Sequence, residues 1–194
     1  MNVIRIASIA ACLLALGVSP AVGNSVNLKI SGPGAVNDST IKTGENVSFD
    51  VYVANDTVYT GFSLGFSMES STIKKVIHVA DSGNGLNDAG DIKGHNGWND
   101  QSIWDFGGVF TVEKDWDGQL PELLGFGGLC VKKQYPAHDA IKVLSFEMMF
   151  PETGTFSIDS SFFPPGGRWL FAAPPPGDTN EPKWAGPYKY TIVK

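Results

Sequence analysis

The chain has 194 residues, 42% of them hydrophobic and 18% charged, with a net charge of −6. An acidic balance of this size argues against nucleic acid and anionic lipid as partners. The length fits one domain able to bury its own core.

Residues 1–23 read as a secretory signal peptide. Arg5 supplies the positive start, Ile6 to Val18 is almost wholly apolar or small, and Ala21-Val22-Gly23 offers small residues before the cleavage point. The apolar run is too short for a stable membrane span. A competing reading takes Ile9-Ala10-Ala11-Cys12 as a lipoprotein box, which would anchor the chain to a membrane through a lipidated Cys12. Cleavage after Gly23 leaves residues 24–194 as a single secreted domain, at the cell surface or beyond it. Arg5 leaves with the leader, so the mature chain carries 13 basic and 20 acidic residues. Cys130 then has no intrachain partner for a disulfide, and its apolar neighbours Leu129 and Val131 place it in the core.

Val26 to Ile30 alternates and predicts a first strand, stopped by Ser31-Gly32-Pro33-Gly34. Ile41 starts a short one. The strongest signal follows. Val47, Phe49, Val51 and Val53 alternate with polar residues, as do Phe62, Leu64, Phe66 and Met68. Period-two alternation puts each apolar set on one face of a strand. The break between the runs holds Asn55, Asp56 and Thr57, so the two read as an antiparallel pair. One dry face demands a covering layer, most simply a second sheet.

Ile73 to Val79 predicts a further strand, with Ile73, Ile77 and Val79 inward. Residues 80–101 form the longest polar stretch, a loop of a length that is usually either functional or mobile. Ser102–Phe106 and Gly108–Val112 are short strand candidates. Leu123–Val131 is an apolar strand whose glycines suggest a bulge or a close backbone approach. Ala140–Phe150 reads as a strand rather than a helix, because Leu144, Phe146, Met148 and Phe150 keep strand phase up to Pro151. Gly154–Asp159, Arg168–Phe171 and Tyr188–Val193 complete the set, with 172–187 irregular. About ten short strands separated by turn residues predict an all-β, antiparallel two-sheet sandwich of Ig-like or jelly-roll type.

The run IKTGENVSFDVYVANDTVYTGFSLGFSM, residues 41–68, resembles the opening of cohesin-type and related carbohydrate-binding β-sandwich modules. AIKVLSFEMMFPETGTFSID, residues 140–159, resembles the paired strands that close such modules. Residues 102–129 are similar to a segment of uncharacterised secreted proteins from environmental bacteria. The resemblance implies a β-sandwich and a binding or display role. It assigns no residue to a ligand.

The candidate chemistry is sparse. Asp81, Asn84, Asn87, Asp88 and Asp91 place hard oxygen ligands in one Gly-rich loop, where a calcium ion could sit, although the spacing is not that of an EF-hand. No zinc set is evident from His78, His95 and His138. Asp105, Asp115, Asp117 and Glu122 are the carboxylates available to a glycoside-active enzyme, which needs two of them facing across a sugar. Gly61-Phe62-Ser63-Leu64-Gly65 has the letters of a nucleophile elbow but lies inside a strand, where the elbow does not form. Trp98, Trp116 and Trp184 stand in polar or Pro-rich stretches. They are either rings presented to a ligand or a lid over the end of the sandwich. The expectation is therefore a non-catalytic extracellular module, without an obligatory cofactor, that binds polysaccharide or a surface protein. A self-assembling subunit of a surface layer or filament is the alternative, and a glycoside-active enzyme the third reading.

Overall fold

The computed structural model describes residues 23–80, 86, 90–100, 102–104, 110–130, 132–162 and 169–194. Among them every regular element is a β-strand, and the strands form two sheets of six and nine. The leader with Cys12, the calcium candidates Asp81, Asn84, Asn87 and Asp88, and the carboxylate Asp105 lie outside these residues.

The strands in chain order are β1 (Ser25–Ser31), β2 (Ala35–Asn37), β3 (Thr40–Lys42), β4 (Asn46–Asn55), β5 (Gly61–Glu69), β6 (Ile77–His78), β7 (Ile92–Gly94) and β8 (Phe110–Asp115). They continue with β9 (Glu122–Leu129), β10 (His138–Met149), β11 (Gly154–Ser160), β12 (Leu170–Ala172), β13 (Thr179–Asn180), β14 (Lys183–Trp184) and β15 (Tyr188–Val193). The six-stranded sheet runs β14-β1-β4-β10, with β6 and β7 both on the far edge of β10. In the nine-stranded sheet β5 is central. One of its edges is filled by β9, with β8 outside it. The other edge is shared, because β12 pairs with Gly61–Ser63 and β11 with Phe66–Glu69. Beyond β11 lie β15, β3 and β2. The sheets are mixed: β1 pairs parallel with β14, and β15 parallel with β3.

The two alternating runs are β4 and β5, but they are not a ladder pair. β4 lies between β1 and β10 in one sheet, and β5 lies in the other. Both strands have both edges occupied, so they meet across the core instead. The connection between them is held by Tyr59, whose amide and carbonyl bridge to Tyr135. Ile73–Val79 also departs from expectation. Only Ile77–His78 is a strand, Ile73 and Val76 are buried, and Ile77 is exposed. The segment bonds irregularly, through Lys74 O to Leu120 N and Val76 N to Gly118 O, so its burial repeats every three residues rather than two. Residues 102–104 are turn rather than strand, and the Pro-rich 172–187 contains β13 and β14. Residues 140–149 fall in a strand as expected, with Phe150 just past its end. An irregularity between Lys142 and Leu144 lets adjacent Val143 and Leu144 both be buried, as a bulge does.

Phe49 is the centre of the core. Its ring lies 5.4 Å from Phe146 and 6.4 Å from Phe150 on its own side, and 5.8 Å from Phe156 and 5.4 Å from Tyr190 on the facing sheet. Three of these contacts are tilted or edge-on, geometries in which aromatic pairs attract beyond simple burial.

Where the outer edges of the two sheets meet, the closure is polar. His78 of β6 directs Nε2 to Glu122 of β9 at 3.0 Å and Nδ1 to Asp91 at 3.5 Å. Glu122 is fully buried and also accepts the Gly118 amide at 2.8 Å; Asp91 is 2% exposed. Trp116 stacks on the His78 ring at 4.0 Å, donates its indole N–H to Asp91 at 2.8 Å and sets its ring edge-on to Phe146 at 5.9 Å. One imidazole and one indole thus clasp the sheets together over two buried carboxylates.

Two outcomes follow from this packing. Phe49→Ala should lower stability by about 3–5 kcal/mol, seen as a lower urea midpoint with an unchanged slope. His78→Ala, which strips Glu122 of its side-chain donor, should cost about 3 kcal/mol. His78→Gln keeps one donor and should cost less. Equal midpoints for the parent and His78→Ala would show that the clasp carries no stability.

Candidate functional site

The three tryptophans, read as rings for a ligand or as a lid over the end of the sandwich, go to three different places. Trp98 is 0% exposed. Its ring stacks on Phe62 at 3.9 Å and meets Trp104 edge-on at 6.2 Å, and the group continues through Tyr135, Tyr59 and Phe171. The missing side chain of Gly128 makes this possible: a Cβ there would stand 2.5 Å from Phe62 and 2.9 Å from Trp104. Trp98 is therefore a plug in one end of the sandwich and not a surface ring. Burial pushes the Tyr135 phenol up to about 12 and that of Tyr59 higher still. Both stay neutral, Tyr135 donating to Asn96 O. Trp116 is half-buried in the clasp with His78. Trp184 is half-buried at the edge of a cleft, with its indole N–H on Asp159 at 2.8 Å.

The polar candidates are similarly engaged. Asp91, the fifth calcium candidate, faces His78 and Trp116 instead of an open loop. Among the described residues no group of three His, Cys, Asp or Glu is disposed to hold a metal ion. Glu122 is buried in the clasp, and Asp117 accepts the Gln119 amide at 2.8 Å in a turn. Ser63 lies within β5, as its alternation required, and Cys130 is buried.

One contact that the sequence did not signal is His95 Nε2 to Ser145 Oγ at 2.7 Å on the outer face of the six-stranded sheet. Burial first, and then Lys142, hold the His95 pKa below its ordinary value. A serine–histidine pair is the start of a nucleophilic site. Here the nearby carboxylate, Asp50, is spent on Ser31 at 2.8 Å, Ser48 at 2.9 Å and Lys142 at 3.5 Å. On the same face Lys93 pairs with Glu147 and Lys29 lies over the Tyr52 ring.

The outer face of the nine-stranded sheet is different. Gly61, Ser63, Gly65 and Ser67 of β5 stand opposite Leu129, Gly127, Gly125 and Leu123 of β9. The centre of this face carries almost no side chain of its own, and its glycines are buried. Leu123 and Leu129 flank it, exposed by 36% and 40%. Ser63 is buried to 8% exposure, and its hydroxyl has no hydrogen-bond partner. Among the described residues it shares this state with Asn55 Oδ1, Trp98 Nε1 and the Tyr190 hydroxyl. The alternation of Gly and Ser with Phe and Leu in β5 was the sequence signal for such a face.

No protein-family model matches the chain, and no curated protein matches it. Solved structures do. A type II cohesin domain from the cellulosome of Acetivibrio cellulolyticus has a TM-score of 0.52 at 16% identity, covering 87% of this chain and 95% of its own. The sixth cohesin of scaffoldin B from the same organism, solved with a mutant Cel5 dockerin, gives 0.51 at 10% identity over 87% and 97%. A type I cohesin–dockerin complex from Clostridium thermocellum gives 0.50 at 12% identity over 87% and 98%. At these identities the likeness is one of architecture, and the chain has a cohesin-like β-sandwich fold.

Proposed function

We propose that the chain is a non-catalytic, extracytoplasmic protein-binding module that presents the outer face of its nine-stranded sheet to a folded partner. The observation that carries this reading is the pair of exposed leucines on this face, Leu123 and Leu129, at the two ends of the Gly/Ser strip of β5 and β9. Exposed leucines on the central strands of a sheet offer a folded partner apolar anchors. The opposite outer face offers none of this, because its charges are already paired. The dockerin complexes among the structural neighbours support a partner of similar kind, a small protein module rather than a polysaccharide. Acidic charge and the leader-like residues 1–23 fit work outside the cytoplasm.

The test is affinity capture from the extracellular fraction of the source organism, with the captured partner identified, purified and titrated. Leu129→Arg and Leu123→Arg should each weaken that partner about a hundredfold, whereas Lys29→Glu on the opposite sheet should leave its affinity unchanged. Retention on insoluble polysaccharide that survives both leucine variants would replace this reading with a carbohydrate-binding one.

A further inference from the structure

A second surface lies on the other edge of β5, away from β9. Where β11 stops at Ser160 and β12 begins at Leu170, β5 has a gap in its ladder beside Gly65. The Gly65 carbonyl accepts the Ser161 amide at 2.8 Å and the Trp169 indole N–H at 2.7 Å, which close the gap. Beside it opens a cleft of about 440 Å³.

Its walls are aromatic. Trp169 and Trp184 meet at 4.9 Å with their planes 67° apart, forming a corner. Trp184 is fixed in place by Asp159, by Tyr188 at 5.2 Å, and by Gly186, whose absent Cβ would otherwise stand 2.5 Å from the indole. Phe162 stands at the rim, 77% exposed. Pro182 and the Glu181 carboxylate complete the lining. A single exposed phenylalanine calls for no explanation. Here it lines one cleft with two hydrogen-bonded indoles and a carboxylate, and together these describe a receptor.

Charge decides what the receptor takes. The faces of aromatic rings are electron-rich and attract cations, most strongly where water is excluded. Glu181 adds a formal negative charge at the cleft, Asp159 stands behind Trp184, and the chain as a whole is at −6. Among the described lining residues none is basic. A sugar would also stack on such rings, but among the described lining residues there is no amide or cationic side chain to donate to its ring and glycosidic oxygens. We propose that the cleft receives the guanidinium of an arginine on a basic segment of a partner protein. The planar fork stacks on an indole face while its edge donates two N–H groups to Glu181, which a lysine ammonium does less well. This site shares no residue with the Leu123–Leu129 face, so either can fail without the other.

The probe is acetyl-Gly-Arg-Gly-amide, titrated into the full chain while the tryptophan indole resonances are followed by NMR and assigned through single Trp→Phe variants. The peptide should shift the Trp169 and Trp184 indoles saturably and leave those of Trp98 and Trp104 in place. Phe162→Ala and Glu181→Gln should each weaken binding about tenfold, with the thermal midpoint unchanged because both side chains are exposed. The lysine analogue should bind more weakly, and cellotetraose should cause no shift. The proposal is overturned by the absence of a saturable shift, by equal affinity in both variants, by equal binding of the lysine peptide, or by shifts with cellotetraose in place of the peptide.

Discussion

The fold depends on a layer of rings packed between two sheets. Phe49 touches aromatic partners on both sides at once, so the spacing and registration of the two sheets are set by how these rings interlock. Everything else accommodates that layer. The far end of the sandwich is filled by Trp98, Trp104 and Phe62 around a glycine, and the open edge by an imidazole between two carboxylates. No disulfide braces the described residues; packing and a few buried polar contacts hold the domain together.

The alternating strands were legible because each buries one face. Phe49 and Val51, Leu64 and Phe66, and Phe146 and Met148 all point inward as their period required. Which strand pairs with which was not legible. Alternation reports a face and says nothing of a partner, so β4 and β5 looked like neighbours in one ladder when they are opposite walls of the core. Ile73–Val79 misled for a related reason: its backbone bonds to Gly118 and Leu120 instead of to a regular strand, and without a ladder its burial keeps no period of two. The two-residue strands β13 and β14 need so few ladder bonds that no local pattern marks them.

The surface was harder to read than the core. A tryptophan among polar residues looks exposed from its own neighbourhood, yet Trp98 is covered by Phe62, remote in sequence, and by Trp104, in space left by Gly128. Asp91 looked like part of a solvated acidic loop, but it lies under the Trp116 indole. The cleft, conversely, brings together Phe162, Trp169 and Trp184, and only Trp184 had drawn notice as a contact residue. The hint that was present is a phenylalanine, Phe162, in a polar and Pro-rich context, with Ser160 and Ser161 before it.

The shared edge of β5 has a broader implication. Because a tryptophan side chain stands in for the missing rung at Gly65, each half-strand is anchored on its own side of the break. Trp169 thus serves the sheet as a surrogate for backbone, so an aromatic replacement without an N–H would fill the same space and still leave that bond to Gly65 unmade.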